Sequence, residues 1–82
     1  MNTNFKTISE PTANVIFSKA IGERTVWFTT KENNFYAVWR GHTGDKNVWE
    51  ESNWIWELQT ILVGRNDAIE ACLLSAIKEG KS

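Results

Sequence analysis

The sequence predicts an α+β domain, with an antiparallel sheet of about four strands and one C-terminal helix packed on one face. Three observations carry this. Residues 25–41 read as two β-rich runs joined by a tight Asn-bearing turn, the short-range signal of a hairpin. Residues 54–63 alternate apolar and polar side chains. Residues 67–79 repeat apolar positions at the spacing of a helix that buries one stripe.

A chain of 82 residues holds one domain with a small core, so its stability is slim and dimerisation would help. Hydrophobic residues at 41% and charged residues at 23% are globular values. Five Trp and four Phe supply large apolar area for the length. A formal net charge of −1 argues against binding driven mainly by phosphate contacts. With a single cysteine, Cys72, the chain forms no internal disulfide, which points to a reducing cytoplasm. The start lacks the apolar segment of a signal peptide, and no apolar run approaches the ~20 residues of a membrane span.

Residues 1–13 are polar, contain the only proline, Pro11, and show no period. They read as a loosely ordered arm before a single domain over 14–80, with Phe5 and Ile8 able to pin it. The first strand spans 14–21. Gly22-Glu23 suits a two-residue loop, which sets Phe17 opposite Phe28 and Val15 opposite Thr30. The second strand covers 24–32 and the third 34–41. Their turn uses Glu32-Asn33 or Asn33-Asn34, Asn being tolerant of left-handed backbone angles. Val15, Phe17, Val26, Phe28, Phe35, Ala37 and Trp39 then share one side, taken as the core side. Ile16, Thr25, Trp27, Thr29, Lys31, Tyr36, Val38 and Arg40 share the other. A sheet covered on one face should be polar on its outer face, and this one is mixed.

Residues 41–53 read as a long loop, in which Val48 and Trp49 also fit a short edge strand. A fourth strand over 54–63 sets Trp54, Trp56 and Leu58 against Ile55, Glu57 and Gln59, with a bulge or kink near its end. Glu57, Leu58 and Gln59 are good helix formers, so a helix fits the same run. In the last element Ala68, Ile69, Cys72, Leu73, Ala76 and Ile77 form the buried stripe. Asn66 or Asp67 caps its start, and Gly80 is placed for its C-cap.

Chemistry-bearing clusters are few. His42 near Asp45 is the only histidine, and no motif sets a Ser or Cys beside it. One Cys and one His fall short of a zinc ligand set. Glu50, Glu51 and Glu57 among Trp49, Trp54 and Trp56 resemble the paired carboxylates of sugar-cleaving sites, yet so short a chain leaves little room for a cleft. Gly41 and Gly44 match no phosphate-binding loop. We therefore expect no catalysis, no metal and no cofactor.

The remaining signal is a contact surface. Trp27, Tyr36 and Val38, flanked by Lys31 and Arg40, would form an aromatic and basic patch on the outer face. The 41–53 loop adds Trp49, Glu50 and Glu51. A Trp-x-Trp strand at 54–56, followed by Asp-Ala-Ile-Glu-Ala at 67–71 and Ala-Ile at 76–77, resembles small phage or prophage accessory proteins over about thirty residues. The resemblance implies a protein that binds and blocks a host factor. The expected function is a non-catalytic, cytoplasmic protein-binding module, whose partner is a host factor or a second copy in a homodimer. Single-stranded nucleic acid stacked on Trp27 and Tyr36, with Lys31 and Arg40 on its phosphates, is the alternative.

Overall fold

The computed structural model describes residues 14–44 and 53–81. Four strands, β1 (Asn14–Ala20), β2 (Thr25–Lys31), β3 (Tyr36–His42) and β4 (Ile55–Leu62), precede one helix, α1 (Arg65–Lys81). The strands form one antiparallel sheet in chain order, β1-β2-β3-β4, and α1 packs across it. This is the expected α+β architecture. The run at 54–63 is a strand and not a helix. Residues 1–13 and the loop positions Val48, Trp49, Glu50 and Glu51 lie outside the described residues.

The β1–β2 loop is one residue longer than two-residue chemistry suggests. The Ile21 N–H donates to the Thr25 carbonyl at 2.8 Å, which leaves Gly22, Glu23 and Arg24 as the loop. Gly22 sits at φ +70, a backbone region costly for a residue with a Cβ. The extra residue slips the pairing by one, so Ser18 rather than Phe17 opposes Phe28. Such a slip sends every side chain to the other face. Phe17 therefore opposes Thr29 and packs beside Trp27. A bulge at Ile16 then restores the register, and Val15 opposes Thr30 as expected.

The β2–β3 hairpin closes through the Glu32 N–H donating to the Phe35 carbonyl at 2.9 Å, around Asn33-Asn34. No non-glycine residue among those described has positive φ, so the Asn residues turn the chain without left-handed geometry. Trp27 faces Arg40, Phe28 faces Trp39 and Thr29 faces Val38. The grouping of side chains into two faces in β2 and β3 is thus the one the sequence predicts.

Which face meets the helix is the reverse of the expectation. Trp27 and Val38 lie under α1 with Ala68, Cys72 and Ala76, while Phe17, Ile21, Tyr36 and Leu62 close the margin. The far face carries a second cluster of Phe28, Ala37, Trp39 and Trp56, rimmed by Val26, Trp54 and Leu58. Four consecutive residues of β2, Trp27 to Thr30, are buried, as are Ala37 to Trp39 of β3. The central strands are packed on both sides, which explains why neither face reads as polar.

Small size decides the helix contact. Ala68, Cys72 and Ala76 recur every fourth position and are all buried, so α1 approaches the sheet closely. The larger apolar residues flank this row: Ile69 and Leu73 are half-buried, and Ile77 and Leu74 are exposed. The helix begins at Arg65, where the Ala68 N–H reaches the Gly64 carbonyl at 3.0 Å, and Asp67 falls in its first turn. It runs through Gly80, which is therefore not a cap.

The far-face cluster is built on ring packing. Phe28 stacks on Trp39 at 6.2 Å between centroids and meets Trp56 edge-on at 5.8 Å. Trp54 stacks on Trp56 at 5.5 Å. The Trp39 indole N–H donates to Thr30 Oγ1 at 3.0 Å, and that hydroxyl donates to Glu32 at 2.9 Å. Gly41 opposes Trp56 across the β3–β4 pair, and a Cβ on Gly41 would overlap the six-membered ring of Trp56. Gly41→Ala should therefore destabilise the domain by about 1–3 kcal/mol. Gly44→Ala, which meets nothing within 4 Å, should be near neutral. Paired urea unfolding curves check this, with a lower midpoint for Gly41→Ala alone.

Candidate functional site

The polar residues of the helix-covered face converge at one end of the molecule. Glu79, in the last turn of α1, receives the Trp27 indole N–H at 2.7 Å. Its two oxygens also receive Arg40, from Nε at 3.0 and 3.2 Å and from Nη2 at 2.6 Å. Arg40 Nη1 lies 3.5 Å from Glu57 Oε1, and His42 Nε2 lies 3.4 Å from that same oxygen. The five side chains form a continuous line from β2 through α1 and β3 to β4.

Strand register sets this line. Arg40 pairs with Trp27 on one side and Glu57 on the other, and His42 comes one same-face step further along β3. A carboxylate in the last turn of a helix meets the negative end of the dipole, and Glu79 shares that turn with Lys78 close by. Arg40 offsets the cost with a fork of hydrogen bonds, the strong geometry for a guanidinium and a carboxylate. Arg40 donating to it, the main cause, and the Trp27 indole hold the Glu79 carboxyl below its ordinary range, against the opposing effect of burial. Arg40 is pushed up in turn, chiefly by its hydrogen bonds to Glu79.

His42 Nε2 is shut off from solvent without a hydrogen bond, since its approach to Glu57 is long and becomes an ion pair only when the imidazole is protonated. Glu57 is engaged with Arg40, so the His42–Glu57 approach is not a free acid–base couple. Cys72 is fully buried, and burial pushes its thiol up, with the Thr29 hydroxyl pulling partly back. A thiol in that state is a poor nucleophile. Among the described residues no group of three or more His, Cys, Asp or Glu is placed to hold a metal ion.

The predicted outer patch takes a different form. Trp27 is 8% exposed and Val38 1%, both beneath α1. Tyr36 is half-buried against the same cluster, Arg40 is committed to Glu79 and Glu57, and Lys31 is exposed. These five residues share a face as expected, and the helix occupies that face. Beside the helix a shallow open groove of about 340 Å³ is lined by Trp27, Ser75, Lys78 and Glu79. Glu79 is the residue that sequence reasoning missed, and Glu57, grouped there with Glu50 and Glu51, is instead joined to Arg40 and His42. The available signal was an acidic residue in a helical last turn, where it needs a cationic partner.

Apolar side chains reach solvent elsewhere. Ile55 and Ile61 of β4 are 40% and 51% exposed, and Val63, just beyond the strand, is 81% exposed. β4 has one hydrogen-bonded neighbour, β3, among the described residues. Between 55 and 62 it contains no Lys, Arg or Pro. The opposite edge, β1, also exposes an apolar residue, Val15 at 52%, but sets it among Asn14, Ser18 and Lys19. No helix among the described residues is long and apolar enough to cross a membrane.

Because folding keeps Glu79 ionised, its contribution is complete above the ordinary carboxyl value of 4.5 and is lost as pH falls through the lower folded value. Glu79→Gln should lower stability by about 1 kcal/mol at pH 7, given that the pair is partly solvated. The gap to the unaltered protein should narrow below about pH 4. Thermal melts of both proteins between these pH values would show the convergence.

Comparison with known protein families, curated proteins and solved structures gives no match to this chain.

Proposed function

We propose that the protein is a non-catalytic protein-binding module that works through the β4 edge of its sheet. The observation that carries this reading is a strand with one side unpaired among the described residues, exposed Ile55 and Ile61, and none of the lysines or prolines that natural edges use to discourage pairing. An extended segment of another molecule adds to such an edge through main-chain hydrogen bonds, and apolar side chains beside them give selectivity. The contact surface thus moves from the Trp27–Arg40 face, which α1 fills, to the strand beside it. The single cysteine favours a cytoplasmic setting, and the resemblance of the C-terminal half to phage accessory proteins adds a host factor to the candidate partners.

The nucleic-acid alternative has less support. Its stacking residue Trp27 lies under the helix, and its cation Arg40 is held by two carboxylates. Oligonucleotides at low salt should leave tryptophan fluorescence unchanged, and salt-sensitive quenching would revive that reading.

Immobilised protein should retain a partner saturably from cell extract. Ile61→Lys, at an exposed position, should keep the fold by circular dichroism and cut retention by about tenfold. Equal retention by both proteins would remove the β4 edge from the function.

A further inference from the structure

We propose that the occupant of the β4 edge is a second copy of this chain, paired β4 to β4 antiparallel about a two-fold axis between Leu58 and Gln59. The inference rests on the protein-binding reading above and names its partner.

The bulge in β4 fixes the register. Trp39 opposes Leu58 whereas Val38 opposes Thr60, so Gln59 is the extra residue. Before it, Ile55 and Glu57 oppose His42 and Arg40 on the helix side, while Trp56 and Leu58 oppose Gly41 and Trp39 on the far side. After it the parity inverts. Thr60 and Leu62 oppose Val38 and Tyr36 on the helix side, and Ile61 opposes Ala37 on the far side.

Residues directly opposed in an antiparallel pair share a face. A regular strand meets itself with a residue on the two-fold axis. β4 cannot do so over its full length, because Ile55 would then oppose Ile61 from the wrong side. Moving the axis to the peptide between Leu58 and Gln59 matches every outer pair: Ile55 with Leu62, Trp56 with Ile61, and Glu57 with Thr60. The two bulges then face each other, two residues against two, and neither copy needs a compensating irregularity. Extending the register one step sets Val63 opposite Trp54.

The pairing covers the exposed apolar positions with apolar partners. Ile61 gains the Trp56 ring, and Ile55 gains Leu62. Glu57 is the only charged residue between 55 and 62, and it opposes a threonine rather than its own copy. Like charges directly opposed would disfavour the pair, and this register has none. Both helices fall on one side of a continuous eight-stranded sheet, a gain in buried area for a chain whose own core is small.

Sedimentation equilibrium from about 1 μM to about 1 mM spans the range expected of a single strand-pair contact. The mass should rise from 9.4 kDa towards twice that value. Ile55→Lys and Ile61→Lys should each shift the midpoint to higher concentration by about tenfold or more. Leu74→Lys, on the exposed side of α1, should leave it unchanged. In a mixture of isotope-labelled and unlabelled protein, Ile61 methyl signals should show intermolecular contacts to the Trp56 ring. A mass of 9.4 kDa at every concentration overturns the proposal, as does a dimer indifferent to both strand variants. If the monomer still retains an extract protein in an Ile61-dependent way, protein binding stands and only the second copy falls. If it retains nothing, both fall.

Discussion

The contact on which the rest depends is the row Ala68, Cys72 and Ala76 lying on Trp27 and Val38. Three small side chains on one helical line let α1 settle onto the middle of the sheet. Leucines in that row would hold it away. Closeness has consequences at the far end of the helix. It brings Glu79 within reach of both the Trp27 indole and the Arg40 guanidinium, so an apolar contact at one end fixes a polar one at the other. Position along the helix is set by the carboxylate and depth by the alanines. Neither alone would specify how α1 lies.

Both faces of the central hairpin are buried, and this is also what limited the sequence reading. Alternation in β2 and β3 sorts Trp27, Val38 and Arg40 from Phe28, Ala37 and Trp39 without ambiguity. It does not say which set meets the helix, because each is apolar enough to do so. The tie is broken by Glu79, whose partners lie 39 and 52 positions away. No local pattern carries that information. β1 failed for a different reason. A loop of three residues instead of two, offset further from the turn by the bulge at Ile16, redirects Phe17 while leaving Val15 in place. Loop length and bulges are local backbone choices with weak sequence signatures. The first three strands and the C-terminal helix, by contrast, rest on periodicity over many residues and were legible, whereas 54–63 also fitted a helix and Ile77 of the expected stripe is exposed.

The two sheet edges also differ in a way that composition hides. Each carries a bulge, at Ile16 in β1 and at Gln59 in β4. In β1 the bulge lies beside exposed Val15 and is followed by Lys19, and a lysine on an edge is a usual means of discouraging a neighbour. In β4 the same device separates two apolar halves and inverts their parity. An irregularity that blunts one edge makes the other selective for a strand that is irregular in the same way.

Strand order equal to chain order bears on how the domain assembles. Each β pairing joins consecutive strands, two of them through short turns, so sheet formation draws on near contacts and closes little loop entropy. The helix must return over strands laid down much earlier, and the Trp27–Glu79 bond spans 52 positions. Contact order favours the hairpins over contacts this distant as the first to form. Weakening the distant ones therefore shortens the lifetime of the folded chain more than it slows folding. The polar line that closes the helix against the sheet governs persistence, and the tight turns govern speed.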